Sequence, residues 1–138
     1  MTLRHATCVD WNGHGILISG ESGSGKSDLA LRLIDAGADL VADDQTEVSD
    51  DGFASAPERL RGLLEVRGIG ILRFPYVEKT KVVLTVRLKP ENEIDRMPET
   101  VENGEISLFS FENSAVLKIK LALEVVLRER SLIFQTDS

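Results

Sequence analysis

Gly20-Glu21-Ser22-Gly23-Ser24-Gly25-Lys26-Ser27 lies between a short apolar run, His14 to Ser19 (HGILIS), and the periodic stretch Ser27 to Ala36 (SDLALRLIDA). The eight residues spell G-x-x-x-x-G-K-S, a phosphate-binding loop. The run before them reads as a strand. The stretch after them, apolar at Leu29, Leu31, Leu33 and Ile34, reads as a helix. Strand, glycine-rich loop and helix is the order that phosphate binding needs. Glycines let backbone N–H groups turn inward around an anion. The helix N-terminus adds partial positive charge. Lys26 is placed to reach the outer phosphates, and the Ser27 hydroxyl to ligate Mg²⁺. All eight residues are therefore expected to bind nucleotide.

Working outward, residues 4 to 11 (RHATCVDW) read as a strand. Asn12-Gly13 is a two-residue hairpin signal joining it to the strand at 14 to 19. Gly37 is placed to end the helix. Asp39 to Asp44 (DLVADD) reads as a strand ending in two acids, and Asp50-Asp51-Gly52 as a turn between two more strands. Leu63 to Leu72 (LLEVRGIGIL) reads as a strand entering a loop, and Lys81 to Leu88 as a strong strand. Residues 89 to 104 read as a polar loop or flap, Glu105 to Phe111 as a strand, and Ser114 to Arg130 as the longest helix. Apolar residues spread around most of that helix, which fits either a core helix or one that also meets a second subunit.

The chain has 138 residues, the size of one domain, and 1–138 is read as a single P-loop domain. A net charge of −7 argues against nucleic-acid or anionic-membrane partners, which need a basic face. Cys8 is the sole cysteine, which excludes an internal disulfide and a cysteine metal cluster. Its apolar setting reads as a buried thiol. No apolar run has the length of a membrane span, and no signal-peptide region opens the chain, so a cytoplasmic setting is expected.

A phosphate loop implies nucleotide binding but not a reaction. Phosphoryl transfer also needs a second metal anchor, a base for the acceptor hydroxyl and cations for the moving charge. Asp43 and Asp44 follow the loop's helix closely. In an ideal strand they point to opposite faces, so one would face the phosphates. Taken in isolation, an acidic turn is the favoured explanation of them. Glu65 and Arg67 share a face of the next strand, where a solvated ion pair is the plain alternative. His5 lies across the hairpin from the strand that feeds the loop.

Together, GESGSGKS, LVADD (Leu40 to Asp44), LEVRGIGIL (Leu64 to Leu72) and a histidine ahead of the loop resemble the catalytic domain of HPr kinase/phosphorylase. Asp95-Arg96-Met97 echoes that family's D-R-L element. The resemblance spans about residues 5 to 97, and the last helix more loosely. It implies an α/β fold: a P-loop kinase core with a mixed sheet and few helices. It also implies ATP and Mg²⁺ as cofactors, and serine phosphorylation of HPr or a related phosphocarrier, with phosphorolysis as the reverse activity. A homo-oligomer, a hexamer in the family, is implied too.

Carried over by position, Lys26 matches the catalytic loop lysine, and Ser27 and Glu65 match the Mg²⁺ ligands. Asp44 matches the acid that takes the serine proton, with Asp43 its support. His5 matches the site histidine and Arg96 the catalytic arginine. The chain departs from the family after Arg67, where a longer glycine-containing loop is missing, and at Glu21, where Asp is common. It resembles the compact form, without an N-terminal domain. Residues 100 to 111 hold no lysine or arginine, where the family has a basic loop serving dephosphorylation. Kinase chemistry with weak phosphorolysis is expected. The rival readings are a GTPase-like switch, which would need an N-K-x-D element this chain lacks, a small-molecule kinase and a nucleotide-binding pseudo-enzyme.

Overall fold

The long strand β9 (Thr80–Leu88) organises the molecule. A computed structural model of the chain describes residues 1–96 and 101–133. Along one side, β9 runs parallel to β3 (His14–Ser19), from Gly15 opposite Val82 to Ser19 opposite Arg87. Its other side is shared. The first residues pair antiparallel with β6 (Phe53–Ser55), and the last pair in parallel with β10 (Glu105–Leu108). β2 (Ala6–Trp11) lies antiparallel to β3, and β4 (Asp39–Ala42) antiparallel to β2. Beyond β6 come β5 (Thr46–Val48) and then β1 (Thr2–Arg4). The sheet is mixed, as expected. The order β1-β5-β6-β9-β3-β2-β4, with β10 on β9, makes it eight-stranded.

Strand alternation divides the core between the two faces. Val9, Ile16, Ile18, Leu84 and Val86 pack with Leu29 and Leu33 of α1 (Lys26–Asp35) and with Ile119 and Leu123 of α2 (Ala115–Val126). Ala6, Cys8 and Leu17 belong to a second cluster with Val41, Ala42 and Ala54. Both helices therefore serve one face.

Local chemistry sets the turns where the sequence places them. Asn12 and Gly13 take φ of 52° and 90°, the doubly left-handed turn that matches strand twist. Helix α1 ends in a paired cap. Gly37 N–H donates to Ile34 O and Ala38 N–H to Leu33 O, with Gly37 at φ 124°.

Several sequence expectations change. The strand expected over 4 to 11 is interrupted at His5 into β1 and β2, which pair with different neighbours. Leu63 to Leu72 is a separate hairpin, β7 (Leu63–Val66) against β8 (Gly70–Arg73), because the chain reverses through Arg67, Gly68 and Ile69. The last strand stops at Leu108, and the helix starts at Ala115 and ends at Val126. Arg128 then takes a left-handed φ of 62°. The expected flap contains two short 3₁₀ turns, at Glu91–Glu93 and Val101–Asn103. Met97 lies outside the described residues.

Candidate active site

The site gathers where β3, β4, β9 and β10 deliver their following residues. The loop 20–25 closes with Ser24 N–H on Glu21 O at 3.0 Å. Gly23 and Gly25 take φ of 82° and 99°, which an L side chain resists. Gly25 is also the residue from which α1 springs, and its carbonyl accepts the Leu29 N–H at 2.9 Å. The helix N-terminus is therefore aimed into the loop.

Lys26 is only 7% exposed. Its ammonium donates to Gly20 O at 2.9 Å and to Glu21 O at 3.1 Å. Buried charge needs such partners, and here they hold the amine inside the curve of the loop. The Ser24 hydroxyl is buried and has no hydrogen-bond partner among the described residues.

Asp43 connects three elements. Its Oδ1 accepts from the Ser27 hydroxyl at 2.6 Å and from the Thr7 hydroxyl at 3.1 Å. Its Oδ2 accepts from the Glu65 backbone N–H at 3.2 Å. Helix α1, strand β2 and the β7–β8 hairpin thus meet on one carboxylate. Asp44 is reached differently. Its backbone N–H donates to Thr7 Oγ1 at 3.1 Å, and its Oδ1 lies 3.4 Å from His5 Nδ1. His5 and Asp44 are both more than half exposed, so they open to solvent while Asp43 faces inward.

The two acids are therefore placed differently, for a reason other than strand alternation. β4 ends at Ala42, and Asp44 takes a left-handed φ of 68°. The turn sends Asp43 to the loop and Asp44 to His5. Thr7, fully buried, sets both positions. Sequence reasoning missed Thr7.

Glu65 comes to the site through its backbone, with an exposed side chain. Arg96 is exposed, and no described hydrogen bond or ion pair ties it to the loop. Glu21 and Ser22 are exposed on the loop's rim. Among the described residues, no three acid, histidine or cysteine side chains cluster as a ready metal site. The donor set still suits Mg²⁺ bound together with phosphates. That ion takes few protein oxygens and keeps substrate oxygens and waters. The Ser27 hydroxyl, oriented by Asp43, matches that pattern, and the Glu65 backbone N–H is held by the same Asp43 carboxylate. The caged Lys26 and the two left-handed glycines suit a polyphosphate.

Two other features bear on the site. Glu105 pairs with Arg87 at 2.8 Å and Glu112 with Lys118 at 2.6 Å. The acidic segment before α2 is thus partly neutralised by neighbours outside it. No helix among the described residues is long and apolar enough to cross a membrane.

Residues 1–109 match the family model described as HPr Serine kinase C-terminal domain. An HPr kinase/phosphorylase of Clostridium novyi is 40% identical over 109 residues, covering 70% of this chain and 36% of that protein. One from Exiguobacterium is 50% identical over 76 residues, covering 52% of this chain and 24% of that protein. The chain spans about a third, or less, of the length of the curated relatives it matches. The solved Hpr(Ser) kinase/phosphatase from Coxiella burnetii is similar at a TM-score of 0.70 and 25% identity, covering 94% of this chain and 95% of that one.

Proposed function

This chain belongs to the HPr serine kinase C-terminal domain family, and on that basis we propose that it is an ATP- and Mg²⁺-dependent serine kinase. Its acceptor is a serine of HPr or a related phosphotransferase-system protein. The observation that carries the reading is the pair of acids sorted by Thr7, one on the loop serine and one beside an exposed histidine.

In this reading the glycine loop and Lys26 hold the polyphosphate, and Lys26 neutralises charge as the phosphoryl group moves. Ser27 and Glu65 would hold Mg²⁺, which would supply further charge neutralisation. Asp43 keeps the Ser27 hydroxyl oriented. Asp44 accepts the proton of the acceptor serine as its oxygen bonds to the γ-phosphorus, and the bond to the β-phosphate oxygen breaks to release ADP. His5, 3.4 Å from Asp44, orients that carboxylate. Arg96 is assigned to neutralise charge on the transferring group.

The exposed position of Asp44 suits a macromolecular acceptor, which must bring its hydroxyl in from solvent. Cytoplasmic HPr-like phosphocarriers are therefore the first substrates to test. The assay is transfer of radiolabel from γ-labelled ATP to HPr and related phosphocarriers. Label on a serine supports the reading, and label on small alcohols alone would replace it with a small-molecule kinase. Pyrophosphate release from the phosphorylated acceptor at millimolar phosphate measures the reverse activity. It should be the weaker one, since residues 101–111 contain no cation.

A further inference from the structure

We propose that Ser110 and Arg32 are positioning residues, which lock the phosphate loop into its anion-binding curve by tying it to the start of α2. This rests on the reading of residues 20–27 as the nucleotide site.

A loop that turns its N–H groups toward an anion turns carbonyls away from it, and each of those needs a partner. The Ser24 carbonyl, just before left-handed Gly25, is one of them. The Ser110 hydroxyl donates to it at 2.6 Å. Ser110 is 1% exposed, so water has little access to replace that donor. The strut continues past Ser110. Its carbonyl accepts from the guanidinium of Arg32, and Arg32 Nε is held by Asp28 Oδ2 at 3.0 Å. Asp28 and Arg32 both lie on α1, the helix that begins beside Gly25. The path from loop to Ser110 to α1 therefore closes on itself. Phe111 adds a steric wall. A Cβ at Gly25 would stand 2.3 Å from Ser110 Oγ and 2.9 Å from the Phe111 ring.

Topology explains the encounter. β3 and β10 both run parallel to β9, so the residues after each emerge at the same end of the sheet. The loop follows β3, and Phe109 to Glu112 follow β10 and lead into α2.

The test compares Ser110→Ala, Arg32→Gln and Arg32→Lys with the parent chain. The readouts are calorimetric affinity for ATP with Mg²⁺, hydrogen exchange of the loop amides without nucleotide, and Tm. For Ser110→Ala we expect affinity to fall about tenfold, the scale of one lost hydrogen bond. Exchange at residues 23–27 should quicken. Arg32→Gln should act in the same direction, and Arg32→Lys, which keeps a donor, should recover part of the loss. The double variant should be no worse than the poorer single, because both act through one strut. Unchanged affinity and exchange in Ser110→Ala, or fully additive losses, would overturn the proposal. If Ser110→Ala does not fold, Arg32→Gln decides by the same two readouts. Loop exchange is read without any acceptor protein, so failure of the HPr assay leaves this test standing.

Discussion

The Ser27 hydroxyl donates a 2.6 Å hydrogen bond to Asp43 Oδ1, linking the end of the phosphate loop to the turn after β4. Asp43 thereby fixes the hydroxyl proposed to ligate Mg²⁺, while Asp44 is left facing His5 and solvent.

This division separates the two acids experimentally. Asp44→Asn should retain nucleotide binding and lose about a hundredfold or more in transfer, the usual loss for a positioned acid–base group. Asp43→Asn should raise the Mg²⁺ concentration needed for half-maximal rate. Titrating both variants with Mg²⁺ checks the assignment. If Asp43→Asn slows turnover more at saturating Mg²⁺, the roles of the two acids are exchanged.

Lys26→Ala should abolish measurable transfer, because one ammonium serves both phosphate contact and charge neutralisation. It also leaves the carbonyls of Gly20 and Glu21 without their donor. Near-normal activity in this variant is incompatible with the proposed site.

Gly25→Ala and Gly68→Ala make a matched pair. Both glycines have positive φ, 99° and 90°, so both substitutions carry strain of about 1 kcal/mol or more. A Cβ at Gly68 meets nothing within 4 Å, whereas at Gly25 it strikes Ser110 and Phe111. Only Gly25→Ala should eliminate nucleotide binding, and its Tm should fall further. Equal effects in the two variants would mean that backbone strain alone matters.

Cys8 is fully buried, and desolvation, aided by the nearby Asp10, pushes its thiol far above its ordinary value of 9.0. Native protein should therefore resist thiol reagents, with modification proceeding only as fast as the molecule opens. The unfolded chain loses this proton near the ordinary value and the folded chain does not. Stability should then decline as pH rises beyond about 9, because the native state binds more protons there. Alkylation kinetics and pH-dependent melting test the two halves.

Leu117 and Leu121 are 55% and 36% exposed, one turn apart on α2. We expect a homo-oligomer in which this stripe is covered. Light scattering at micromolar concentration should give a multiple of the chain mass, and Leu117→Glu with Leu121→Glu should reduce it. A monomeric parent chain would contradict this expectation.

Some of this was fixed by local chemistry and could be read along the chain. The octapeptide 20–27, the Asn12-Gly13 turn, the Gly37 cap and the alternation of β3 and β9 depend on residues a few positions apart, where backbone sterics and periodicity dominate. The acids were recognisable as candidates for the same reason, since they directly follow an apolar strand. Which of them faces the loop and which faces solvent was not. That depends on the left-handed turn at Asp44 and on a threonine 36 residues away in sequence from Asp43. Ser110 lies 86 residues from the carbonyl it serves, and no spacing rule connects them. Only the parallel registers of β3, β9 and β10 bring those segments to one end of the sheet. A hydrogen bond between distant residues is decided by packing of the whole fold, so tertiary structure assigned what the sequence could only nominate.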